Sequence, residues 1–280
     1  LDVSGTSTLG GTLTVNAGAV FNEGSGDYDF RIEANGEANM FVVDAGNDKI
    51  GIGTATPSGR LEVFMSSASQ SPDSVADEFV IETSGSGGIS ILTGTSGSGG
   101  IYFGDSGDNG RGKVLYDHNT DLLQLASGGI VGMNIDASQN VLVGLTTADT
   151  PYGTTPKLQV EDTDSTSAIS AFRNSNDAGG AYLMLGSSRG TSVGSDTIVQ
   201  DDDQLGSIIF VAADGTDRVS AAASILSFID GTPGANDTPG RLVFGTTADG
   251  AAAPTYAMTI DSSQRVTVAG GITVTGANNV

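Results

Sequence analysis

The chain has 280 residues, with 42 glycines, no cysteine, no tryptophan and a single histidine. Its 33 acids against 11 bases give a formal charge of -22, while 38% of the residues are hydrophobic. This excludes disulfide and thiolate-metal scaffolds, argues against a nucleic-acid partner, which needs clustered Lys and Arg, and is too apolar for a disordered acidic tail.

The opening Leu1-Asp2-Val3-Ser4-Gly5 has no basic n-region and no apolar h-region, so the chain is expected to begin inside a longer polypeptide. In Leu9-Gly10-Gly11-Thr12-Leu13-Thr14-Val15 a Gly-Gly pair precedes an alternating strand pattern. Gly24-Ser25-Gly26 lacks a Walker lysine and a strand–helix context, so it indicates no nucleotide site. Residues 1–39 are read as an N-terminal shaft segment, and no run reaches the length of a membrane-spanning helix.

A β-hairpin module is expected over residues 40–64. Phe41-Val42-Val43-Asp44 leads through a small polar turn to Ile50-Gly51-Ile52-Gly53, and Pro57-Ser58-Gly59-Arg60-Leu61-Glu62-Val63 reads as a turn and a further strand. Asp44, Asn47 and Asp48 lack EF-hand spacing and read as turn formers. Residues 65–130 form a Gly/Ser-rich β-domain with strands at Gly88-Ile89-Ser90-Ile91-Leu92 and Gly100-Ile101-Tyr102-Phe103-Gly104. Asp105, Asp108 and Asn109 sit among glycines there and also read as turn residues. A hairpin is expected between Lys113-Val114-Leu115-Tyr116 and Leu122-Leu123-Gln124-Leu125, turning at Asp117-His118-Asn119-Thr120. His118 has no sequence partner for catalysis.

The second module spans 131–160. Met133-Asn134-Ile135-Asp136 leads to Val141-Leu142-Val143-Gly144, and Thr155-Pro156-Lys157-Leu158-Gln159-Val160 echoes the Pro57–Val63 stretch. A larger β-domain fills 161–257, with strands at Ala181–Leu185, Ser207–Ala212, Ala223–Ile229 and Arg241–Gly245. Leu158–Arg173 and Val219–Leu226 fit a strand, with a short helix as the alternative. Asp201-Asp202-Asp203 reads as a solvated loop ahead of a calcium site. The third module and a C-terminal shaft segment occupy 258–280: Met258-Thr259-Ile260-Asp261, then Val266-Thr267-Val268-Ala269, then Gly270-Gly271-Ile272-Thr273-Val274-Thr275-Gly276. That end echoes the Gly10-Gly11 stretch.

Asp44, Asp136 and Asp261 are therefore singled out as structural turn residues, each able to hydrogen-bond its own turn backbone. They lie 92 and 125 positions apart, which argues against a solenoid of fixed period and for a boundary module between inserted domains. No catalytic, cofactor or metal site is assigned. The strands are short and glycine-rich, and their edges need pairing or cover. Identical chains winding together would supply both. The aromatics Tyr102, Phe103, Tyr116, Phe172 and Tyr182 are read as packing residues at chain interfaces ahead of a receptor patch.

The string Met258-Thr259-Ile260-Asp261-Ser262-Ser263-Gln264-Arg265-Val266, together with Ile50-Gly51-Ile52-Gly53-Thr54-Ala55-Thr56-Pro57, resembles the module that separates domains in bacteriophage tail fibres, especially those of marine phages. The stretches Asp202–Phe210, Ala213–Asp217 and Asp230–Leu242 are similar to domains of the same fibres. The third copy departs from the pattern, with Thr267-Val268-Ala269 in place of Gly-Ile-Gly. The resemblance implies an all-β, elongated, intertwined homotrimeric fibre of short strands, hairpins and small sandwich-like domains. It implies a structural, non-enzymatic role in the virion tail, extracellular, supporting attachment to a host receptor, a glycan or an outer-membrane protein. Other tail proteins would be its neighbours. The rival readings are a polysaccharide-degrading tailspike and a bacterial or archaeal surface filament or adhesin.

Overall fold

The computed structural model describes residues 10–16, 19–21 and 26–273. Leu1–Gly5, the Gly24-Ser25 pair and the stretch from Val274 to Gly276 lie outside the described residues. Among the described residues the regular structure is β throughout, except for one 3-10 turn at Pro151–Gly153. The chain divides into two compact units, residues 1–91 and 92–280.

The first unit holds one five-stranded sheet, with β1 (Phe30–Ala34), β2 (Glu37–Asp44), β3 (Lys49–Ile52), β4 (Leu61–Phe64) and β5 (Phe79–Glu82) in spatial order. The first three strands form antiparallel hairpins. The next two are added parallel, so each requires the chain to cross back over the sheet.

The second unit holds two sheets. In one, β6 (Ser98–Phe103), β7 (Gly112–Asp117), β8 (Leu122–Ser127), β9 (Ile130–Ile135) and β10 (Val141–Val143) run antiparallel, and β11 (Leu158–Val160) joins parallel to β10. In the other, β12 (Gln204–Val211), β13 (Ala221–Ile229), β14 (Gly240–Thr246), β15 (Thr255–Ile260) and β16 (Val266–Val268) form an antiparallel meander. The strand alternative holds at Ala221–Ile229. In Leu158–Arg173 only the first three residues are strand. The strands expected at Leu13-Thr14-Val15, Gly88–Leu92 and Ala181–Leu185 belong to no sheet. Their apolar residues are present, but among the described residues no strand pairs with them.

Side chains alternate between faces along a strand, so paired residues across a sheet share a face. In the first sheet, Phe30, Val43, Ile50, Leu61 and Phe79 form one apolar row five strands wide. The row behind it is Arg31, Val42, Gly51, Glu62 and Val80. In the second sheet, Tyr116, Leu123, Ile135, Val141 and Leu158 make one row, and Ile101, Val114, Leu125, Met133, Val143 and Val160 the next on the same face. Gln124, Asn134, Leu142 and Gln159 lie on the reverse. In the third sheet, Ile208, Ile225, Phe244, Met258 and Val268 align against a reverse row of Ser207, Leu226, Val243, Thr259 and Thr267.

The fully buried residues lie mainly on the mixed faces. Val42, Glu62, Leu142, Asn134, Gln159, Val243 and Ser224 are buried, whereas no member of the apolar rows is. The chain exposes 20738 Å². A compact monomer of the same 28.0 kDa mass exposes about 11,000 Å². Each sheet therefore buries the centre of its mixed face under its own loops and leaves the apolar rows half-buried to exposed, although Ile229, on the apolar side of β13, is fully buried.

Candidate functional site

The repeat modules are built from their turns upward. In the second, the Asp136 carboxylate accepts from the Ser138 and Asn140 N–H groups, both at 2.9 Å, and from Asn140 Nδ2 at 2.9 Å. In the third, Asp261 accepts from the Ser263 and Arg265 N–H groups at 2.9 Å and from Arg265 Nε at 2.9 Å. Gln139 and Gln264 occupy the same left-handed position, with φ 64° and 63°. The donated N–H groups, led by those of Asn140 and Arg265, hold both carboxyls below the usual carboxylate range. The first module differs. Asp44 pairs across the hairpin with Lys49, so its loop is one residue longer than the others, and its carboxylate accepts from the Asn47 N–H at 3.1 Å and from Asn47 Nδ2 at 2.9 Å. All three sequence-selected aspartates thus sit at hairpin turns and bind those turns.

After the hairpin, the first two modules repeat a second device. At Gly53 and Gly144 the chain leaves its strand with φ 81° and 80°, and at both a Cβ would run into the carbonyl of the parallel strand, that of Phe64 or Glu161. The chain then crosses the mixed face and returns as β4 or β11. From the middle of each returning strand one polar side chain points into the crossover. Gln159 Oε1 accepts from the Asp149 N–H at 2.9 Å, and its Nε2 donates to the Asp149 and Pro156 carbonyls at 3.2 and 3.1 Å. Glu62 Oε2 accepts from the Ser58 N–H at 2.6 Å. Glu62 Oε1, which as a carboxylate oxygen can only accept, finds no donor although the residue is 1% exposed, and Ser58 Oγ is likewise unpaired. The Ala68 N–H, donating at 2.7 Å, is the leading cause that holds nearby Glu82 below the usual carboxylate range. Lysines brace the two crossovers: Lys49 Nζ donates to the Pro57 and Ser58 carbonyls at 2.9 and 3.1 Å, and Lys157 Nζ donates to the Ser138 carbonyl.

The third module is tied down differently. Arg241 reaches Asp202 at 2.7 Å and Asp230 at 3.2 Å, and its guanidinium lies 4.8 Å from the Phe228 ring centroid. Asp230 also accepts from the Ser262 N–H in the third turn at 2.8 Å, the leading cause of its lowered pKa. Within the expected Asp201–Asp203 loop, Arg189 grips Asp203 at two contacts of 2.6 Å and, with the Gln200 N–H, brings its carboxyl down to about 2. Asp201 accepts from the Gly231 N–H at 2.7 Å. These carboxylates are thus engaged in linking loop ends. Among the described residues no group of three or more His, Asp or Glu is placed to hold a metal ion.

His118 lies in the β7–β8 turn, edge-on to Tyr116 at 4.9 Å, and its N–H donates to the Gly97 carbonyl at 3.1 Å. Tyr116 OH donates to Asp121 at 3.0 Å. Tyr102, Phe103 and Tyr116 belong to the β6–β7 hairpin, while Phe172 and Tyr182 lie outside any sheet, so the five do not form one patch. Sequence reasoning did not single out Glu62, Gln159 or Arg241. The signal for the first two was present in the echo of Leu61-Glu62-Val63 by Leu158-Gln159-Val160, where a polar residue stands between two apolar ones.

The surface with the largest unmet demand is the set of apolar rows. Ile101, Phe103, Val114, Leu125 and Leu158 are exposed on one face of the second sheet alone. No family model matches the sequence, and no curated protein is similar to it. The fold has a solved counterpart. The carboxy-terminal domain of the L-shaped tail fibre of bacteriophage T5 matches with a TM-score of 0.50 at 12% identity, over 66% of this chain and 83% of that one. This all-β arrangement of mixed and antiparallel sheets therefore resembles that of a phage tail-fibre domain.

Proposed function

We propose that this chain is a structural, non-enzymatic segment of a phage tail fibre, in which three copies close their apolar sheet faces on one another. The observation that carries this reading is the one-sidedness of all three sheets. Each has an apolar row spanning five or six strands, and no member of these rows is fully buried. Burial of apolar surface is worth about 25 cal/mol per Å², so association of the open faces is the largest stabilisation within reach. A closed cyclic assembly satisfies every copy equally. The fold likeness to a tail-fibre domain supports the phage setting, and the motif resemblance supports the number three. In this reading the fibre is extracellular in the virion tail, contacts other tail proteins, and supports attachment to a host glycan or outer-membrane protein. In this reading it takes no cofactor.

The native mass of the full chain tests the assembly. Three copies give about 84 kDa against 28.0 kDa for one. Ile225→Asp, in the middle of an apolar row, should leave the single-copy mass. A wild-type chain that runs as a compact monomer overturns the reading. The phage setting is checked by the neighbouring genes, where tail and baseplate genes are expected and secretion genes would favour an adhesin.

A further inference from the structure

The run Ala181-Tyr182-Leu183-Met184-Leu185 is a short apolar stretch bounded by Gly180 and Gly186, as a covered strand would be, yet the backbone of residues 180–187 makes no hydrogen bond among the described residues. Its side chains are apolar on both sides. Tyr182 is 73% exposed, Leu183 80%, Met184 80% and Leu185 52%. A strand with one wet face alternates apolar with polar, whereas a strand apolar on both sides is built to be covered on both. The run is already seated at one point. Leu185 lies against Gly206 of β12, where a Cβ on the glycine would meet Leu185 Cβ at 2.6 Å.

β12 is the edge of its sheet and pairs only with β13. At eight residues it is long for an edge. Its sequence, Gln204-Leu205-Gly206-Ser207-Ile208-Ile209-Phe210-Val211, has no charge and no proline. Edges are normally kept short, charged or covered, because an open one is a template for another strand. The other wide edges differ: β1 has Arg31 and Glu33, and β5 has Glu82. The edge strand β6 of the second sheet is also uncharged but two residues shorter, and only at β12 does an unpaired strand-like run of the described chain lie against the open edge.

We infer that Ala181–Leu185 of one copy adds as a strand to the open edge of β12 in a second copy. This rests on the reading that copies of the chain assemble, and it names the element that locks them. The added strand would satisfy the backbone of both edges and extend both faces of the sheet, with Tyr182 and Met184 on one side and Leu183 on the other, the recognition mode of strand addition.

The absence of native cysteine allows a direct test. A tagged full-length Leu183→Cys chain is co-assembled with a differently tagged chain that has Ser207→Cys or Ile208→Cys, neighbours that together sample both faces. After mild oxidation, a covalent pair with both tags is expected at least fivefold above that formed with Thr267→Cys on the opposite edge. Tyr182→Cys serves as a second donor position. An assembly of normal native mass whose Ser207 and Ile208 pairs do no better than the Thr267 control overturns the strand addition and leaves the assembly standing. So does a cross-link confined to single chains when a Leu183→Cys/Ile208→Cys double variant is diluted with cysteine-free chains. A single-copy native mass overturns both readings.

Discussion

The β2–β4 module of the first unit and the β9–β11 module of the second solve one problem with complementary side chains. Each is a hairpin, a left-handed glycine exit, a crossover and a parallel strand. In the first, the central row is Val42, Gly51 and Glu62; in the second it is Asn134, Leu142 and Gln159. The bulk has moved one strand over. Where Gly51 stands, the crossover comes down so close that a Cβ would meet Pro57 Cγ at 3.0 Å, and residues 53–60 suffice to cross. Where Leu142 stands, fully buried, the crossover needs residues 144–157. Loop length thus follows the volume of the residue beneath it. The buried polar group differs as well. The amide of Gln159 can both donate and accept, and it meets the crossover backbone three times. The carboxylate of Glu62 can only accept, and one oxygen is left over.

The strongest way to break this comparison is at the shared exit. Gly144→Ala and Gly53→Ala each force a side chain into left-handed backbone and into a carbonyl, and should cost about 2 kcal/mol or more. The third module already has Ala269 at the corresponding exit, so Ala269→Gly should move the melting temperature little. Equal effects at all three positions would show that the glycine exit does not set the first two modules apart from the third.

The polar swap sharpens the contrast by sign. Gln159→Glu removes both donated bonds and sets a carboxylate against two carbonyls, an expected loss of about 2–3 kcal/mol. Glu62→Gln replaces the oxygen that lacks a donor with an amide able to donate toward Glu82, an expected gain of about 1 kcal/mol. Denaturant unfolding of the two variants at neutral pH checks this, and shifts of the same sign would refute the assigned roles.

The smallest effect is that of acid. Asp136 and Asp261 have folded pKa values below their unfolded ones, so the stability they add is fully present above the unfolded value near 4. It is lost as the pH falls through the folded values. Melting curves from pH 7 to pH 2 should therefore show a decline below about pH 4. Asp136→Asn keeps an acceptor oxygen for the turn and should flatten part of that decline. An unchanged pH profile in the Asn variant would remove Asp136 from this account.

By itself the sequence determined the hairpins, because a turn and its two flanking strands are neighbours along the chain and period-two alternation fixes which residues share a face. The turn roles of Asp44, Asp136 and Asp261, and the pairing of Lys113–Tyr116 with Leu122–Leu125, were legible for that reason. Only the tertiary structure decided that β4 and β11 return parallel. That pairing closes over a loop whose geometry depends on the residue it covers, and no local pattern encodes it. The same holds for Glu62 and Gln159, which in the linear chain look like the wet positions of an alternating strand and become buried only when the crossover lies over them. Ala181–Leu185 shows the converse. Its apolar run between glycines is local and plain, but a strand exists only where another backbone meets it, and among the described residues none does.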